Sequence, residues 1–164
     1  MYRTIDDFKS AWALEREATL QCFRSLTDES LKYHSTLFPR GLGRVAYHIA
    51  EAPSSLLADA GVTVAGPEFG HEASSTKHLI TEYERASQAL VDTVTKWNDD
   101  ELADHVIFFG RDMRKGMLLN VLVNHQAHHR GQLTVLMREA GISIPSFFGP
   151  TIEAWMSLGK NGAT

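Results

Sequence analysis

A single cysteine, Cys22, stands in a chain of 164 residues, on what reads as an apolar helix face. One thiol excludes a disulfide framework and a multi-cysteine zinc site within one chain. No run of 18 apolar residues occurs, so nothing in the sequence reads as a membrane-spanning helix. The opening residues, MYRTIDDFKS, hold no apolar core of the signal-peptide kind. A block of lysine and arginine, or a stripe alternating basic with aromatic residues, is also missing, and the net charge is −4. A nucleic-acid partner, which must have its phosphates neutralised, is therefore not expected. Together these absences point to a reducing, cytoplasmic setting with no membrane and no nucleic acid.

What is present is ordinary for a folded domain: 43% hydrophobic and 22% charged residues exclude a disordered chain. The length supports one domain, residues 1–164, with a core that needs no staples. Four long segments carry helical periodicity. Residues 4–26 place Ile5, Phe8, Trp12, Thr19, Cys22, Phe23 and Leu26 on one face, with Glu15 among them as a pairing partner for a base or a neighbour of a site. Residues 42–60 place Val45, His48, Ile49, Ala52 and Leu56 together; Pro53 is expected to kink this helix or end its first half, and Gly61 to close it. Residues 74–97 form a third helix with Ser74 or Ser75 as its cap.

Between Asn98 and Lys115 the run HVIFFG has strand character and suggests a short hairpin or extended loop. The fourth long helix spans about Gly116 to Ala140 with Gly141 as its stop, and Pro150 suits the first turn of a short last helix through Leu158. Phe147, Phe148 and Trp155 in this tail suit packing of the bundle end first, with a pocket wall or a dimer contact as the other uses. Glu68 and His71 have the E-x-x-H spacing of di-iron bundles, but Pro67 and Gly70 break any helix there and no second copy exists. The fold expected is all-α, a four-helix bundle with a short extended segment before the last long helix.

The chemistry concentrates in that last long helix. Leu118, Leu122, His125, His129, Leu133 and Leu136 follow one another at three- and four-residue steps, an apolar stripe with two histidines in its middle. Four residues apart, these imidazoles lie roughly 40° apart around the helix and about one turn along it, so both can reach one point beside it. A neutral imidazole must satisfy one donor and one acceptor, and two of them in an apolar stripe are costly unless something binds them. A divalent metal answers that need; so, one residue at a time, would a backbone carbonyl or a water. A metal requires a third ligand, and His48, on a core face of the second helix, is a candidate.

The run His125-Gln-Ala-His128-His129-Arg130-Gly131-Gln132-Leu133, with Val45-Ala-Tyr-His48-Ile49 before it and Gly141-x-x-x-Pro145-Ser-Phe-Phe-Gly149 after it, resembles the DinB-like superfamily. These are damage-inducible helical-bundle metalloproteins, unrelated to the similarly named DNA polymerase. The resemblance covers most of the chain, and its specific part is H-x-x-H-H-R-G-Q together with His48. It implies a metal site of one histidine from the second helix and two from the last long one: His48, His125 and His129. His128 then faces the neighbouring side of the helix. Arg130 is expected to pair with an acidic residue, and Gly131 to permit close helix packing; Gln132 receives no role.

Three histidines without a fourth protein ligand leave a coordination position open, as in catalytic zinc sites. Zn, Ni and Fe all suit such a site. A bound water could be acidified to act as a nucleophile, the chemistry of a metal-dependent hydrolase. Alternatively a low-molecular-weight thiol such as bacillithiol, mycothiol or glutathione could bind as thiolate, which the resemblance implies for transferases and isomerases related to this family. A metal-binding stress-response protein without catalysis is the third reading. No general base is identifiable; Glu15, Tyr47, Glu51 and Asn124 are candidates by helix position alone. The partners expected are a small-molecule substrate or thiol and a second copy of the chain in a homodimer.

Overall fold

Thr4 starts the first helix, α1 (Ile5–Ser25): its hydroxyl accepts from the Asp7 N–H while the Asp7 carboxylate accepts from the Thr4 N–H. That reciprocal cap satisfies two orphan donors and sets a negative charge at the positive end of the helix dipole. The computed structural model, which describes residues 2–160, continues with α2 (Leu42–Asp59) and α3 (Thr76–Val94). The Ser75 hydroxyl caps α3 by accepting from the His78 N–H. A 3₁₀ turn (Asp99–Ala103) leads into two antiparallel strands, β1 (His105–Phe108) and β2 (Arg111–Arg114), and then into α4 (Lys115–Glu139). The short α5 (Ile152–Ser157) ends the described chain. Thr151, not Pro150, opens α5, its hydroxyl accepting from the Ala154 N–H. Gly61 and Gly141, with φ of 75° and 74°, stop α2 and α4 in the left-handed region where glycine meets no Cβ penalty.

The protein is all-α apart from this hairpin, and the four long helices form a bundle. Helices α1 and α2 each pack on both α3 and α4. The two are therefore diagonal, and the connection 26–41 crosses the bundle between them. Gly43 lets this crossing lie close: a Cβ there would come 2.6 Å from the Leu31 carbonyl oxygen.

The core is two apolar clusters separated by a polar belt. One holds Phe23, Leu42, Ile49, Tyr83, Leu133 and Met137; the other holds Phe8, Trp12, Leu57, Leu90, Leu118 and Leu122. The six buried polar residues, Glu15, Thr19, Glu51, Ser87, Gln126 and Arg130, fall between the two along their helices. Each is engaged. Arg130 forms an ion pair with Glu15 and donates to the Thr19 hydroxyl, joining α4 to α1. The Trp12 indole N–H donates to Ser87 at 2.8 Å, joining α1 to α3.

Pro53 neither kinks nor ends α2, which runs unbroken from Leu42 to Asp59. A proline lacks the N–H that the carbonyl four residues earlier would accept, here that of Ile49. The buried Gln126 side chain of α4 supplies the missing donor, its amide giving a 2.9 Å bond to the Ile49 oxygen. The Tyr83 hydroxyl of α3 in turn donates to the other end of the same amide. One glutamine thus repairs the helix and ties α2, α3 and α4 together.

The hairpin turns on Phe109 and Gly110, both at positive φ (46° and 73°). Two such residues between paired strands match a tight type I′ turn, for which asparagine–glycine is the usual choice. A phenylalanine there carries a steric cost on the order of 1–2 kcal/mol. The Asp59 carboxylate at the end of α2 holds the tip by accepting from the Phe109 N–H at 2.6 Å.

Replacing Gln126 by leucine strands the Ile49 carbonyl and is expected to cost about 1–3 kcal/mol in urea unfolding. In a Pro53→Ala background, where the backbone regains its donor, the same change should cost clearly less. Equal costs in the two backgrounds would refute the repair.

Candidate metal centre

On α2, His48 stands one turn before the proline; on α4, His125 and His129 lie four residues apart. The packing of α2 on α4 brings the three together, their ligand atoms all within 4.8 Å of one another. The His129 Nε2 lies 3.2 Å from that of His48 and 3.1 Å from that of His125. Three ligands at about 2.0–2.1 Å in a tetrahedral shell stand roughly 3.3 Å apart, so this spacing fits a small divalent ion.

The hydrogen bonds behind the rings decide which nitrogens carry protons. The Glu51 carboxylate lies 2.8 Å from His48 Nδ1 and can only accept, so the neutral ring holds its proton on Nδ1 and presents a bare lone pair at Nε2. Likewise His129 Nδ1 donates to the Gln132 side-chain oxygen at 2.8 Å, leaving its Nε2 bare. Two lone pairs thus face each other at hydrogen-bond distance with no proton between them. His125 can place a proton on only one of its nitrogens, and its Nδ1 is buried without any partner. Three converging nitrogens that share at most one proton are a donor set for a cation. The residues present fit a divalent transition metal.

The surroundings keep His125 and His129 neutral and hence able to ligate. Burial, and after it the neighbouring imidazoles, hold His125 down to about 3. Burial also leads in lowering His129 to about 4, against the hydrogen bond to Gln132, which works the other way. Glu51 is fully buried. Burial is the largest single influence on it and acts upward, but hydrogen bonds from His48, Arg44 and the Gly70 N–H together outweigh it and hold the carboxyl below its ordinary value. An ionised Glu51 therefore fixes the His48 tautomer and anchors loop 61–75 through Gly70.

One side of the centre opens into a cavity of about 660 Å³, with His48 and His125 in its wall. The remainder is mostly apolar: Leu56, Phe69, Phe108, Phe109 and Val121, joined by Ser55, Ala58 and Asp59. Among the described residues no fourth histidine, cysteine or carboxylate joins the three histidines.

Comparison with known proteins agrees with this architecture. The family model described as the DinB family matches residues 1–160. The chain belongs to the DinB family. It is 38% identical over 161 residues to the protein YrdA of Bacillus subtilis, covering 97% of this chain and 96% of that one. A crystal structure of a DinB-like protein from Bacillus cereus is also 38% identical, with a TM-score of 0.85, covering 90% of this chain and all of the other. The DinB-like protein YjoA of Bacillus subtilis shares the fold, with a TM-score of 0.66 at 14% identity, covering 88% of this chain and 99% of that one.

Other residues singled out in the sequence have settled places in this DinB family member. His128 is exposed, its Nε2 accepting from the Gln132 amide at 3.0 Å. Glu15 is buried against Arg130. Glu68 and His71 face each other in an exposed loop. Gly131 does not serve close packing, since it is exposed and a Cβ there would meet nothing within 4 Å. Phe147 packs against the first core cluster, and both it and Phe148 lie against the Arg130 guanidinium, 5.1 and 5.3 Å from ring centre to Cζ. Glu51 and Gln132 carry functions that spacing alone did not reveal. The signal for each was a polar residue three positions after a histidine ligand candidate, within reach of its ring across one helical turn.

Because His125 and His129 have folded pKa values below the ordinary 6.5, the unfolded chain binds more protons between those limits. Stability of the metal-free protein is then complete above about pH 6.5 and falls as the pH drops towards about 4 and then 3. Thermal melts in chelator should show this acid loss, and His125→Gln should flatten it. An unaltered profile in that variant would contradict the burial of a neutral imidazole.

Proposed function

We propose that His48, His125 and His129 hold one divalent transition metal ion (Zn, Ni or Fe) and that the protein is a metal-dependent enzyme, a thiol-dependent S-transferase of the detoxification kind. The observation that carries this reading is the convergence of bare imidazole lone pairs at the mouth of a cavity large enough for a small molecule. An ion held there would supply a Lewis-acidic centre with an open position, at which a thiol loses its proton without a protein base.

That last point favours thiol chemistry, because the candidate bases are committed elsewhere. Glu15 is locked to Arg130 on another face of α4. Glu51 lies behind His48 and accepts from three donors. Tyr47 is buried, and burial first, then nearby carboxylates, push its hydroxyl up and away from proton transfer. Asn124 has no titrating group. The chain's own contribution is orientation: Glu51 and Gln132 set the tautomers of His48 and His129. No helix among the described residues is long and apolar enough to cross a membrane, and the partners expected are small molecules.

Elemental analysis of untagged protein purified without chelator should find one equivalent of metal, lost in His48→Ala, His125→Ala and His129→Ala but retained in His128→Ala. Metal content indifferent to all four changes would end the assignment. Glu51→Gln removes the carboxylate that accepts from His48 Nδ1 and orients the ring, and is expected to weaken metal affinity about 10–100-fold. The metal-loaded protein should form product only when a thiol and an electrophile are supplied together. Turnover of esters or amides without thiol would make it a hydrolase instead, and metal without either activity a binding protein.

A further inference from the structure

The wall of the cavity beside the three histidines is built from two helical stripes. His48, Ser55 and Asp59 lie seven and four residues apart along α2, and Val121 and His125 four apart along α4, so the histidines and the cavity floor share the same helix faces. The hairpin closes this space from above. Its tip is not free, because Asp59 grips the Phe109 N–H and so fixes the tip to the same end of α2 that forms the floor.

Phe109 is the unusual residue. It occupies a left-handed position that asparagine or glycine fills at less cost, and its side chain is 68% exposed, so folding gains little from its bulk. Phe69, in the loop held by Glu51, is exposed to the same degree and lines the same cavity. Two exposed aromatic rings, one of them on strained backbone, thus frame a concave apolar space. Strain of this sort is retained where a position serves something other than the fold.

The charge of the wall narrows the occupant. Asp59 is the one charged side chain among the residues lining the cavity, and no lysine or arginine is found with it. Away from the histidines, an anion entering there would meet the exposed Asp59 carboxylate with no lysine or arginine lining the cavity to offset it.

We propose that this cavity binds a small neutral molecule through an aromatic or branched aliphatic group, held by Phe69, Phe109, Leu56 and Val121, with its polar end towards His48 and His125. The apolar subsite stands on the cavity alone; the direction of the polar end rests on the metal reading above. A polyanionic thiol is disfavoured here, and the substrate that fills this space is the neutral, apolar reactant.

Two titrations test the pocket and the metal separately. Chelator-treated protein is titrated with 2-naphthol, followed by the fluorescence of the naphthol. Binding to the wild type is expected, and it should weaken roughly tenfold or more in Phe109→Asn and in Phe69→Ala, a factor of the size expected from losing one aromatic contact. Both residues are exposed, so the fold should persist, and Phe109→Asn should melt no lower than the wild type because asparagine tolerates the turn. Affinity unchanged in both variants, or no binding at all, overturns the proposal. Cobalt-loaded protein is then titrated with 2-naphthalenethiol and with mercaptosuccinate, read by thiolate-to-cobalt absorbance. Tighter binding of the naphthalenethiol supports the pocket, and tighter binding of the dicarboxylate overturns it. Naphthol binding without cobalt uptake leaves the pocket standing and removes the metal reading.

Discussion

Desolvation of one turn of α4 governs much of this molecule. Gln126 and Arg130 project from the middle of the packed face of α4, with the half-buried His125 and His129 at its edge, and every buried polar atom there must find a partner or weaken the fold. Arg130 finds Glu15 and Thr19 on α1; Gln126 finds the Ile49 carbonyl on α2 and the Tyr83 hydroxyl on α3. Three helices are thereby placed around α4 by hydrogen bonds as well as by apolar contact. Burying an ion pair contributes little net stability, but leaving either charge alone would be severe, so the pair acts chiefly to fix how α1 sits against α4. In the same turn, His125 Nδ1 has no partner and the Nε2 atoms of His125 and His129 converge on that of His48 with too few protons to pair them.

That unmet need separates the centre from the structural belt around it. The Nδ1 atoms of His48 and His129 are satisfied by Glu51 and Gln132, so their lone pairs are turned towards each other. The belt stabilises the bundle, and the centre is held at the edge of it by the same helices. Glu51 links the two: it orients His48, accepts from Arg44, and through Gly70 holds the loop that carries Phe69 to the cavity. The hairpin reaches the same cavity from the other side of the chain through Asp59 and Phe109. Histidines, loop and hairpin therefore bear on one space although they are spread from residue 48 to residue 125.

Much of the fold was legible because helical periodicity is a local property. The limits of α1, α2 and α4 lie within a residue of those read from the apolar spacing and the stop signals at Gly61 and Gly141, and Ser75 caps α3 as one of two serines expected to. The stripe read through α4 holds at its leucines, since Leu118, Leu122, Leu133 and Leu136 are all buried. The buried face also takes in Leu119, Gln126, Arg130 and Met137, which moves its centre and leaves His125 and His129 only partly buried at its edge. The polar identities of Gln126 and Arg130 hid that extension. It matters, because a histidine at the edge of the core can open to a cavity and one at its centre cannot. Pro53 misled for a related reason: its missing donor is replaced by a side chain 73 residues away, beyond the reach of any local pattern.

By itself the sequence determined the helices, the i, i+4 histidine pair and the H-x-x-H-H-R-G-Q run, each of which lives within a few turns of one element. Tertiary structure decided the rest: that His48 faces the pair, which nitrogens are bare, and that a strained phenylalanine and an anchored loop frame a mostly apolar space beside them. Those features depend on the direction and distance between side chains on different helices, and these follow only once α2 is packed against α4.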